Sequence, residues 1–241
     1  MAGIESRIGG SAHEQERYVH EVTPEFLIKF FLAEQFQNLL SKSLQRYRKS
    51  KNTEEFGFEV LKRPDAEQLF FGKVVGGDFD EETDLKKSSD AILKRLRKEG
   101  VDPYTFSTFH LHPHQFENDP IIIPSGTGGD LGRSNMIRRA TEGIINLSVP
   151  SIDLIGTIKG DKTIKILAFR EPVAFDPGRL SEAFEEMCDG LDYVQSQEEV
   201  LALLRQLKYE AVLLNSDTDG RFDQVNIEQL GTLAYQPKKV A

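Results

Sequence analysis

Three of the five histidines in this 241-residue chain fall within five positions, His110, His112 and His114. The run before them, Tyr104-Thr105-Phe106-Ser107-Thr108-Phe109, is aromatic and β-branched, which predicts a buried strand. Residues two apart on a strand point to the same side. His110 and His112 are therefore expected to project together from its end, and Pro113 stops the ladder just after them. Two imidazoles and one carboxylate make a three-ligand zinc site with a fourth position open to water. The third ligand is expected from Asp130, beyond the turn Pro124-Ser125-Gly126-Thr127-Gly128-Gly129. His114 shares the phase only if the strand continues past Pro113, so it reads as a loop residue. A His-x-His pair can also simply end a strand and bond to loops. The proline and the Gly-rich Asp turn favour metal here, and the expectation is one zinc per chain. The glycines could instead serve turn conformations alone. They do not read as a phosphate cradle, because no Lys-Ser/Thr follows them.

The elements that must position these residues are legible from periodicity. Thr23 is a candidate N-cap with Pro24 at the first helical position. A helix is expected from there to about Arg48, with Phe26, Leu27, Phe30, Phe31, Phe36, Leu39, Leu40, Leu44 and Tyr47 as its apolar stripe. Residues 56–63 and 68–77 read as two strands around a turn at Pro64-Asp65. Residues 84–98 read as a helix stopped by Gly100. After the histidine strand, a short helix is expected from Ser134 to Thr141 and strands over 144–149, 152–158 and 162–169, the last two joined by a hairpin turn at Gly160-Asp161. Pro172 to Pro177 reads as a boundary. Beyond it come helices over 180–188 and 197–207, and a hairpin from 209–214 and 224–227. The alternation of helices and strands gives an α/β (α+β) sheet domain. The chain divides into a mobile N-terminal segment (1–22), a catalytic domain (23–175) and a C-terminal α/β extension (176–241), which could serve dimerisation, and so a homo-oligomer, or substrate recruitment.

Composition narrows the partners. The formal net charge is −9 and the pI about 5.2. No basic face is implied, so nucleic acid is not an expected partner. Cys188 is the single cysteine, which excludes an internal disulfide and suits a reducing, cytoplasmic compartment. No apolar run is long enough for a membrane span.

His110-Leu111-His112-Pro113, followed by Thr127-Gly128-Gly129-Asp130, resembles the JAMM/MPN+ zinc metalloprotease family over roughly residues 23–172. That family's pattern is a Glu, then His-x-His-Pro, then Ser/Thr-x-x-Asp. Leu111 stands where the family usually has Ser or Thr, and the longer gap after Pro113 implies an inserted loop. The resemblance implies a JAMM/MPN-like, cytidine-deaminase-like mixed sheet flanked by helices, with His110, His112 and Asp130 holding zinc. It implies a general base three residues before a glycine, which places Glu54 in that role ahead of Gly57. Glu55, on the opposite side of the strand, and Glu67 are the alternatives. Thr127 has the family's spacing to Asp130 and Ser125 its usual residue type, so either could give the oxyanion a hydroxyl, Thr127 by preference. The activity implied is hydrolysis of a peptide or isopeptide bond after the C-terminal glycines of a ubiquitin-like protein or its conjugates, its tail lying along a sheet edge. The alternative is a non-catalytic scaffold of the same fold. An amidohydrolase-like enzyme would need a large barrel with further histidines downstream, and none follows His114.

Overall fold

The computed structural model describes residues 21–50, 54–63, 66–77, 83–112, 121–124, 151–159, 163–170, 194–217, 219, 221–222 and 227–235. Its elements are α1 (Pro24–Leu32), α2 (Glu34–Lys49), β1 (Glu55–Lys62), β2 (Leu69–Phe71), β3 (Val75–Gly77), α3 (Thr83–Lys98), β4 (Tyr104–Leu111), β5 (Ile152–Lys159), β6 (Thr163–Arg170), α4 (Gln197–Gln206), β7 (Glu210–Asn215) and α5 (Ile227–Gly231). The expected segments at 134–141, 144–149 and 180–188, the turns at 64–65 and 160–161, and the boundary at 172–177 lie outside the described residues.

The strands form one seven-stranded sheet in the order β2-β1-β4-β5-β6-β7, with β3 also on β1. β4 and β5 run parallel and the other pairs antiparallel, so the sheet is mixed. With helices α2, α3 and α4 packed against its strands, this is a mixed α/β fold.

One helix was expected across residues 23–48, and two are present. The start is as expected: Thr23 Oγ1 accepts from Phe26 N at 3.1 Å, and Pro24 opens the helix. At Ala33 the backbone turns extended, with ψ 129°, and α2 leaves in a new direction. Ala33 is neither glycine nor proline, so the break has a tertiary cause. It brings Phe36 against Phe30 and Phe31, at ring distances of 4.6 and 5.4 Å. Such aromatic pairs add stabilisation beyond their buried area. Phe58 and Phe106 complete the cluster from the sheet.

The second expected strand, 68–77, is interrupted. Phe71 pairs with Val60 and Val75 with Gly57, which leaves one extra residue on the outer side, a bulge. Gly72 N still donates to the Glu59 carbonyl, whereas Lys73 N turns to the Ser88 carbonyl of α3. A Cβ on Gly72 would fall on Ser88 Oγ and come 2.8 Å from the Glu59 carbonyl oxygen. Glycine is therefore what lets α3 approach the sheet so closely.

The first strand of the expected C-terminal hairpin is present as β7. β7 pairs with β6, Ile227 begins α5, and residues 224–226 of the expected hairpin lie outside the described residues. Within the extension, then, β7 is the last strand of the same sheet. The first and last described segments also meet: Val22, fully buried, pairs with Tyr235 through both backbone bonds.

Each face of the sheet has its own core. Phe56, Phe58, Val60, Phe109, Leu154, Ile166 and Val212 belong to the larger cluster, with α1 and α2. Ile155, Leu167, Phe169 and Ala211 belong to the smaller one, with α4. The histidines lie on this second side.

Candidate metal centre

His110 is the penultimate residue of β4 and is buried, and His112 is half-buried just past the strand. Alternation puts both on the face opposite Phe109 and Leu111. His112 N donates to the Gly156 carbonyl at 2.9 Å, so β5 holds the chain in register beyond the last strand residue. The two imidazoles converge. Their Nε2 atoms are 2.9 Å apart, and the rings are inclined by 45° with centroids 4.8 Å apart. Two nitrogens on one tetrahedral zinc at about 2.0–2.1 Å each would stand roughly 3.3 Å apart. A few tenths of an ångström of side-chain rotation would open the pair to that spacing. The donor set thus fits zinc as far as its two nitrogens go. Among the described residues no group of three His, Cys, Asp or Glu side chains converges on a point. Asp130, Ser125 and Thr127 lie outside the described residues.

The neighbours of the pair are set by register. Gly57 sits opposite His110 across β1 and β4. A Cβ there would fall on the Phe109 carbonyl oxygen and lie 2.9 Å from a Leu85 methyl and 3.1 Å from His110 Cβ. Gly57 thus gives up its own volume to the histidine and to α3.

The candidate bases separate clearly. Glu54 is exposed, in a bend just before β1. Glu55 opens β1, half-buried and paired with Gly77, and stands two residues from Gly57. By alternation Glu55 shares the face of the histidines. Glu67 is exposed near the Lys62–Leu69 end of β1. Five residues of strand separate that end from Gly57, roughly 17 Å at the usual rise, so Glu67 is not brought to the histidines.

Behind the histidines lies a row of buried polar groups that pattern reading missed. Glu59, Thr108 and Asp153 stand side by side on β1, β4 and β5. Glu59 accepts from Thr105 Oγ1 at 2.6 Å and from Ser89 Oγ, and Ser88 Oγ accepts from Glu59 N at 3.0 Å. Asp153 accepts from Thr108 Oγ1 at 2.5 Å. Buried carboxylates persist only with such donors. Glu59 ties α3 to β1, and Asp153 ties β5 to the strand that carries His110. On the other side of the pair, Thr157 follows Ile155, the register partner of His110, by two residues and so shares its face. Thr157 is fully buried, and Lys165 lies opposite it, 5% exposed. A signal for the row existed in the sequence: Glu59 and Asp153 interrupt otherwise apolar strands, where a charge needs partners.

No protein-family model matches the chain, and no curated protein matches it.

Proposed function

We propose that the chain is a zinc-dependent peptidase of the JAMM type. Its substrate would be a ubiquitin-like protein or a conjugate of one, cut after the C-terminal glycines. The observation that carries this reading is the convergence of His110 and His112 Nε2 at the end of β4. The order of elements is compatible with it: helices α1 and α2, strands β1 to β3, helix α3, then the histidine strand, where the resemblance implies one long helix and a strand pair. The register supports it too, since Gly57, which follows the Glu54-Glu55 pair, lies against His110.

His110, His112 and Asp130 would hold the metal. Zinc there would act as a Lewis acid, lowering the pKa of a water and polarising the scissile carbonyl. Glu54 would take the proton and return it to the leaving amine, a role that needs a carboxylate within hydrogen-bond reach. Glu55 stands next in line, on the histidine face. The Thr127 or Ser125 hydroxyl would donate to the developing oxyanion. The Glu59–Thr108–Asp153 row would hold β4 rigid between its neighbours, so that the histidines meet the metal with only a small side-chain rotation.

The test is hydrolysis of a ubiquitin-like protein extended at its C-terminal glycines by a peptide or an isopeptide-linked lysine. Cleavage after the glycines, abolished by a chelator and restored by zinc, is the expected outcome. A folded, zinc-loaded protein that cuts no such substrate would favour the scaffold reading.

A further inference from the structure

Thr157 stands beside the histidine pair and carries a hydroxyl that the fold does not use. The parallel register of β4 and β5 sets His110 against Ile155 and Leu111 against Gly156, so the next step sets His112 against Thr157. The bond from His112 N to the Gly156 carbonyl, at 2.9 Å, holds that step in place. Alternation turns Thr157 to the same face as both imidazoles. Neighbouring strands of a sheet lie about 4.8 Å apart, so the two side chains rise next to each other.

Thr157 is fully buried, and its Oγ1 has no hydrogen-bond partner among the described residues. Lys165, its register partner on β6, does not supply one. Thr108, on the same face, shows the contrast: its hydroxyl is bonded to Asp153. Buried polar groups are nearly always paired, so an orphan calls for a reason. Packing is not that reason, because valine would fill the same space with no polar atom to bury. The histidines offer one. Their Nε2 atoms converge, so Nε2 is the nitrogen each ring would present to zinc. Nδ1 then carries the proton, and a metal-bound histidine almost always donates that proton to an oxygen. A threonine hydroxyl can accept it.

We propose that Thr157 is a positioning residue for the metal centre: its Oγ1 accepts from His112 Nδ1 once the two imidazoles open to the spacing of zinc ligands. This rests on the zinc-site reading above. The bond fixes the tautomer of His112 and keeps the Nε2 lone pair turned toward the metal. It also gives the buried hydroxyl the partner it otherwise lacks. The hydroxyl therefore disfavours the zinc-free fold and favours the loaded one, which makes β5 a determinant of metal affinity.

The test compares the full-length parent with Thr157→Val and Thr157→Ser. Zinc Kd is measured by competition with a chromogenic chelator, and Tm is measured on the zinc-free proteins. Valine keeps the shape and loses the acceptor. Its zinc Kd should rise about 10- to 100-fold, as for other outer-shell partners. Its zinc-free Tm should hold or rise, because an unsatisfied buried hydroxyl is gone. Serine keeps the acceptor and loses a buried methyl, so its Kd should stay near the parent's while its zinc-free Tm falls. Affinity thus follows the hydroxyl and stability follows the methyl, a crossing that a merely structural threonine would not produce. A parental Kd in Thr157→Val overturns the proposal while leaving the zinc site standing. So does a Thr157→Ser as weak as Thr157→Val, or a Thr157→Val that loses zinc-free stability along with affinity. Proton NMR of the zinc-loaded proteins gives a second readout. The His112 Nδ1 proton should exchange slowly with water in the parent and in Thr157→Ser, and fast in Thr157→Val; equal exchange in all three overturns the proposal. If the parent holds no zinc, the site reading falls and the proposal falls with it.

Discussion

At the scale of single residues, the roles of the carboxylates separate by what each would touch. A base touches the water and not the metal, so replacing it should spare zinc. Glu54→Gln is expected to keep the fold and about one zinc per chain, as a single site of this type holds, and to lose nearly all cleavage, because an amide cannot accept and return the proton. Zinc content and cleavage rate measured together for Glu54→Gln and Glu55→Gln decide between them. The face shared by Glu55 and His110 makes Glu55 the residue to take the role if Glu54→Gln cleaves like the parent. For the oxyanion donor, Thr127→Ala should slow turnover on the order of a hundredfold with little change in KM. Loss in Ser125→Ala alone would move the turn's alignment by two residues.

At the scale of elements, the histidine strand is positioned by what its neighbours leave out. Gly57 has no room for a Cβ against the Phe109 carbonyl, a backbone atom that cannot step aside. Gly57→Ala should therefore destabilise by about 1–3 kcal/mol, the usual range for overpacking, and should weaken zinc binding by displacing His110. Denaturant unfolding and a zinc titration check the two halves separately. Elements of this kind were readable in part from sequence. The histidine strand, its ending at His112, and the helices over 84–98 and 197–207 carry strong periodicity, and they stand where it put them. The break at Ala33 was not readable, because nothing in Leu32-Ala33-Glu34 opposes a helix, and the cause lies in the packing of Phe36 on Phe30. The pairing of β7 with β6 was not readable either: an apolar run shows a strand but not its partner. The amide of Gln197 reads as any polar residue at a helix start, and its bonds to the backbone of Ile122, 75 positions away, are visible only in the fold.

At the scale of the molecule, the two ends of the described chain are fastened together. Arg170, buried in the last position of β6, donates from Nε to the Leu233 carbonyl and from Nη2 to the Ala234 carbonyl, each at 3.0 Å. These residues lead into the Val22–Tyr235 bridge. Burial lowers the Arg170 pKa, partly offset by Glu210. Arg170→Met would strand two carbonyls and should cost on the order of 2 kcal/mol, read as a lower Tm with the zinc Kd unmoved. Alkaline stability has a separate source. Burial raises the pKa of Tyr104, whose hydroxyl finds no hydrogen-bond partner among the described residues, and that of Tyr235. A phenol with a raised folded-state pKa favours the fold at pH below its unfolded value of about 10 and loses that contribution as pH rises beyond it. Tyr104→Phe removes an unsatisfied buried hydroxyl. It should hold or raise stability at neutral pH, and it should soften the loss above about pH 10. Urea unfolding at neutral and alkaline pH measures both.

The most direct test of the central claim is metal analysis of the purified full-length protein and of His112→Ala, each exposed to zinc and then freed of excess. About one tightly held zinc per chain in the parent, as one three-ligand site would hold, and none in His112→Ala is the expected pair. A folded parent that retains no zinc, or a His112→Ala variant that retains all of it, would contradict a metal centre at the end of β4.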